Sequence, residues 1–311
     1  EGTGTADAVI ISRDGVVFTG FTVQKEGNST YKTGIYLSGR ENCKIDNNIV
    51  SNFQVGVKFK NCMINTISSN TISSNYFGIE IDNSPQNIIV NNKIFDNEKY
   101  GIYLNTGIEN VLENNEMINN GIHFASETLE DWNSQSIDTS NTVNGNPVYY
   151  CKDRNSWTIP AGAGQVILAN CQNIVVEFQD LSQGSVGIEL GFSTQNIITD
   201  CDISSNTEYG IYLIYSQDNE ILRNTISSNK GYGIYNIQSD RNEFTDNSIN
   251  TNDLFGIFIL SSSEIMILDN YLSDNSMGIL IRNSNKSRVS RNEFNRDGIS
   301  IFGENNVYWI N

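Results

Sequence analysis

The chain has 311 residues, a net charge of −17 and a pI near 4.4. Such acidity argues against nucleic-acid phosphates and anionic membrane surfaces as partners. Charged residues make up only 18%, Asn, Ser and Thr stand in their place, and no run of 18 apolar residues offers a membrane-inserted helix.

Residues 1–33 read as an irregular first coil, with AVIISRDGVVFTGFTVQ forming two strands around Asp14-Gly15. From Gly34 a phrase recurs every 20 to 23 residues, at Gly56, Gly78 and Gly101, and again at Gly187, Gly210, Gly233, Gly256 and Gly278. A period of this size signals a stacked solenoid. One residue after each glycine stands Ile or Val, as at Ile35, Val57 and Ile211, and three after it an apolar residue, as at Leu37, Phe59 and Leu213. That is period-two alternation, a short strand with its second residue outward. Further inward columns fall at +11 (Ile45, Ile67, Ile221) and +16 (Val50, Ile72, Ile226). Three short strands per coil predict an all-β, single-stranded, right-handed parallel β-helix of about twelve coils.

Column +14 reads Asn48, Asn70, Asn92, Asn115, Cys201, Asn224, Asn247, Asn270 and Asn292. These are expected to turn a left-handed corner and to bond to their equivalents in the coils above and below. Regular coils are expected over 34–124 and 164–297. Residues 125–163 should form a loop insertion on an irregular coil, with Val148 and Ile159 inward. Residues 298–311 should form a C-terminal coil, with Tyr308, Trp309 and Ile310 as an apolar lid. The whole, 1–311, reads as one domain of a longer protein, beside which neighbouring domains are expected. The five cysteines lack metal-ligand spacing and read as buried fillers.

The S-x-x-N-x-I-x-x-N-x-I-S-x-N phrases (Ser216 to Asn229), the text from Arg13 to Val23, NTVNGNPVYY from Asn141 and GAGQVILANCQNIVV from Gly162 together resemble a known family. It is the NosD-like, carbohydrate-binding and sugar-hydrolase (CASH) family of right-handed β-helices, in the form of archaeal, methanogen-type surface proteins. The resemblance covers nearly the whole chain. It implies the fold and an extracellular or cell-envelope setting. It carries over no catalytic residue, because family members range from lyases, hydrolases and epimerases to non-catalytic surface proteins.

Chemistry is therefore sought in the outward column at +2, which reads Tyr36, Lys58, Glu80, Tyr103, His123, and later Glu189, Tyr212, Tyr235, Phe258, Leu280. Tyr36, Tyr103, Tyr212 and Tyr235, with Trp132 from the insertion, are candidates for stacking on sugar rings, since one sugar spans roughly the strand spacing. The only histidine, His123, stands beside the insertion, so His123, Glu80, Asp82, Glu189 and Asp131 are the candidates for acid–base work. In column +13, Asp200, Arg223, Asp246, Asp269 and Arg291 read as an ionic ladder, with calcium at Asp246 and Asp269 as the alternative. Copper is disfavoured by a single histidine and scattered methionines. No other cofactor is expected. Asn28 and Asn285 open glycosylation sequons.

The expected function is a β-helix module that binds a polysaccharide or cell-surface glycan, or builds surface architecture, without catalysis. The alternative is a polysaccharide lyase or glycoside hydrolase with its groove beside 125–163. Neither nucleic acid nor membrane insertion is expected.

Overall fold

The computed structural model describes residues 7–25, 32–302 and 307–309. Two compact units divide the chain, Glu1–Val148 and Tyr149–Asn311. Each is a right-handed parallel β-helix with three sheets, and the turns number about 13 against about twelve expected.

In the first unit the G-I-x-L strands, such as Val55–Lys60 and Phe77–Asp82, stack into a six-stranded first sheet. The pairing is in register, Ile35 on Val57 on Ile79 on Ile102. Three-residue strands such as Thr66–Ser68 and Thr71–Ser73 form the second and third sheets. The first coil contributes three strands where the sequence suggested two, because Gly20 at φ 79° turns Val17–Thr19 into Thr22–Gln24. In the second unit the first sheet runs from Gln165–Ala169 to Ile299–Phe302 and the second from Asn155–Thr158 to Val307–Trp309. The inward columns are buried: Ile45, Ile67, Ile221, Ile72 and Ile226 expose none of their surface.

The repeating glycine is required by close approach. A Cβ on Gly56 would lie 2.6 Å from the carbonyl oxygen of Gly78 and 2.9 Å from Ile72 Cγ2. Any side chain there would push adjacent coils apart.

The Asn column is a buried ladder. The Asn48 backbone N–H donates to Asn70 Oδ1 at 2.9 Å and the Asn48 side-chain amide donates to the same oxygen at 3.1 Å. The pattern repeats from Asn70 to Asn92 and from Asn224 to Asn247. One expectation needs correction. The left-handed residue is not the ladder Asn but the one before it: Asn47, Ser69, Asn91, Asn114, and in the second unit Asp200, Arg223, Asp246, Asp269 and Arg291. The corner residue turns the chain outward, and the next residue then points its amide inward. Parallel ladders run through Asn65, Asn87 and Asn110, and through Asn206, Asn229, Asn252 and Asn275. The last ends on Asp297, whose two carboxylate oxygens accept from the Asn275 backbone and side-chain amides at 2.8 and 2.6 Å.

Much of the expected loop is built into coils. A short helix, Leu129–Asn133, is capped by Thr128, whose hydroxyl accepts from Asp131 N–H. Ser136–Ile137 and Thr142–Val143 continue the second and third sheets of the first unit. Asn144 and Gly145, both left-handed, then reverse the chain so that Asn146 and Pro147 pair antiparallel. In the second unit Asn155–Thr158 pairs with Gln172–Glu177. Val148 and Ile159 are buried as expected. All five cysteines are free and buried. Cys201 replaces a ladder Asn, its thiol donating to Thr199 O at 3.2 Å, and burial pushes its pKa up to about 11. Asn28, Ile310 and the side chains of Tyr308 and Trp309 lie outside the described residues.

Candidate functional site

Parallel register places Tyr36, Lys58, Glu80, Tyr103 and His123 side by side on the outer face of the first sheet. Lys58 Nζ meets Glu80 Oε1 at 2.7 Å, with only 24% and 11% of the two side chains exposed. Asp82 is paired in register with Lys60 and accepts from Asn105 Nδ2 at 3.0 Å. Glu80 and Asp82 are thus both engaged by neighbours in their own columns. Tyr103 stacks on Phe77 at 4.9 Å. Burial, then the negative charges of Glu80 and Asp82, push the Tyr103 phenol above its ordinary pKa, so it stays a hydrogen-bond donor at neutral pH.

His123 is not a surface residue. It is 4% exposed and its ring lies 4.4 Å from that of Tyr100, which itself stacks on Tyr103. The ring faces of this cluster are turned to one another.

The insertion does not complete a site here. Trp132, expected to stack on sugar, is fully buried against Phe124 at 4.8 Å, with Nε1–H donating to Ser126 O. Phe124 and His123 alternate along one strand, so Trp132 is anchored on the core side of the sheet. Asp131 is also structural. Its carboxylate accepts from Gly107 N–H at 2.8 Å and from the hydroxyls of Ser126 and Thr128.

In the second unit Glu189 is fully buried between Ile167 and Tyr212 in register, and Tyr212 is 7% exposed. Burial is confined to this end of the column, since Tyr235, Phe258 and Leu280 are only half-buried, and from Gly210 to Gly256 the residue just before the glycine is an aromatic packed against the +2 side chain. Tyr209, Tyr212, Tyr232, Tyr235, Phe255 and Phe258 form a belt with neighbouring centroids 5.1–5.7 Å apart. The Tyr235 and Phe258 planes differ by only 3°. The other contacts run from stacked through tilted to edge-on, so the rings cover one another in the mixed geometries that aromatic pairs favour. Burial raises the phenol pKa of both Tyr232 and Tyr235. The sequence showed the aromatics preceding the glycines but not that they pack against the +2 side chains.

The ionic ladder exists as separate pairs. Arg223 spans both carboxylate oxygens of Asp200, and Arg291 both of Asp269, holding the two acids below the usual carboxylate pKa. Asp246 lies exposed between them. Among the described residues no three His, Cys, Asp or Glu side chains converge as a metal site would require.

Residues 153–311 match the profile of the family described as Periplasmic copper-binding protein (NosD). The chain belongs to the NosD family. Residues 7–157 match the Right handed beta helix region. No curated protein sequence matches this NosD-family chain. Among solved structures, the Azotobacter vinelandii mannuronan C-5 epimerase AlgE4 A-module is 13% identical, over 95% of this chain and 90% of that one, with a TM-score of 0.42. The Dettilon tailspike protein (gp208) is 15% identical over 95% of this chain, which spans 60% of the tailspike, with a TM-score of 0.41. The periplasmic alginate epimerase AlgG is 17% identical over 91% and 78%, with a TM-score of 0.39.

Copper, in the NosD family description, needs imidazole or sulfur donors brought together. Here the buried His123 packs against Tyr100 and Tyr103, the five thiols are buried at separate coils, and burial raises Cys62, Cys151, Cys171 and Cys201 away from the thiolate form. These donors do not fit a copper centre.

Proposed function

We propose that this NosD-family chain is an extracellular or cell-envelope module that holds a glycan along the outer face of its first unit and leaves it chemically unchanged. The carrying observation is the Lys58–Glu80 pair, flanked in register by Tyr36 and Tyr103. Ammonium, carboxylate and phenol groups in one row, repeating at about 4.8 Å, offer alternating donors and acceptors at nearly the spacing of a sugar chain. The family description, a periplasmic one, supports the envelope setting.

The way the acids are used supports a reading without turnover. A glycosidase needs two carboxyl groups free to exchange protons about 5–9.5 Å apart. Glu80 is ion-paired and Asp131 caps and staples a helix. A lyase needs a base and a cation for the uronate, yet Tyr103 is held protonated and Lys58 is already neutralised.

The test is a glycan array followed by incubation with neutral and uronate-containing polysaccharides. Binding is expected, without unsaturated products or new reducing ends. An array without hits overturns the binding reading, and product formation overturns the non-catalytic one.

A further inference from the structure

We infer that Phe192 and Tyr215 form a second carbohydrate contact, for a neutral oligosaccharide, on a corner of the second unit. The corner column five residues after the repeating glycine is left-handed in every coil except that of Gly101, where Thr106 stands. It is occupied by Gly39, Asn61, Asn83, Gln238, Ser261 and Asn283, and only here by two aromatics, at φ 55° and 49°. Bulky side chains are disfavoured in that conformation, whereas Gly and Asn adopt it readily. Core packing does not explain the choice, since both residues are only half-buried and neither belongs to the core of the unit. They stack on each other at 5.0 Å and 21° from adjacent coils, giving a flat apolar pair at the surface.

The same two turns run on into an open groove of about 430 Å3. It is lined by Asn173, Gln195, Asn196, Ile197, Asp218 and Glu220. Asp218 is held at both oxygens by Arg241, while Glu220 carries no ion pair among the described residues. Neither ring lines the groove itself, but each lies three residues before a groove residue of its own turn, Gln195 and Asp218, so a chain several sugars long would meet an apolar ring pair and then amide and carboxylate groups for its hydroxyls. The only charges lining the groove are negative, which disfavours a uronate and leaves a neutral sugar chain.

The inference rests on the glycan reading of the protein but uses a different unit, so the two fail separately. Calorimetric titration compares neutral oligosaccharides with uronate oligomers of equal length on the full chain, on a Phe192→Asn/Tyr215→Asn double variant and on Lys58→Met. The expected result is neutral-sugar binding weakened at least tenfold in the double variant, with Tm unchanged or raised because Asn suits the left-handed corner. Unchanged neutral-sugar binding in the double variant overturns the inference whatever the Tm, and a lowered Tm beside it would make the rings structural. Loss of all binding in Lys58→Met alone overturns it as well, while loss in the double variant alone upholds it and overturns the first-unit site.

Discussion

In the first unit the outward column reads Tyr36, Lys58, Glu80, Tyr103, His123, and in the second Glu189, Tyr212, Tyr235, Phe258, Leu280. The inward columns beside them are interchangeable, Ile on Ile in both. The first column is a polar row centred on an ion pair. The second is a largely aromatic row whose rings pack on one another, with Glu189 and Tyr212 buried at its start and Tyr235, Phe258 and Leu280 half-buried. Packing and ladder bonding constrain the interior in every coil, so the repeat carries the fold there. Nothing in the repeat dictates the outer column, and that is where the two units diverge.

The largest expected effect is on the helix that, among the described residues, occurs only in the first unit. Trp132→Ala empties a fully buried site and should cost about 4 kcal/mol, the range for large aromatic truncations, read from urea denaturation. A cost below about 1 kcal/mol would mean the helix is not an integral part of that core. Next come matched ladder substitutions. Asn70→Ala and Asn247→Ala each strand the buried backbone N–H of the preceding ladder Asn and remove one acceptor from its side-chain amide, at a cost of about 2 kcal/mol. Clearly unequal costs would break the claim that the interiors are equivalent.

On the outer faces, Lys58→Met should cost about 2 kcal/mol by leaving the mostly buried Glu80 without its partner. Glu80→Gln in the same background should recover most of that loss. The smallest effect concerns the ladder's end. Burial raises the Asp297 pKa above 3.8, so the folded state holds this proton more tightly than the unfolded chain does. Its contribution therefore favours folding in acid and is lost as pH rises through the folded pKa. Asp297→Asn should raise Tm at pH 7, with the gain shrinking as pH falls toward 3.8. Asp269, held down by Arg291, runs the opposite way: its contribution is present above pH 3.8 and lost as pH falls through its lowered pKa.

The sheets and ladders were legible because apolar and Asn positions recur at fixed offsets from glycine, and the register confirms those offsets. The outer column was legible as a row of residues but not as an environment. Whether His123 or Glu189 meets water depends on rings and strands from other coils, which alternation along one strand cannot reveal. Trp132 and Asp131 misled for a related reason. An irregular segment rich in Trp and acids looks like a protruding loop until its capping and core contacts are seen.

The most direct test titrates an array-selected oligosaccharide into the protein and into Lys58→Met, then recovers the sugar for mass analysis. Saturable binding, unchanged sugar mass and at least tenfold weakening in the variant are predicted. Equal binding by both proteins, or a shortened or unsaturated sugar, would contradict a non-catalytic glycan site on the first unit's outer face.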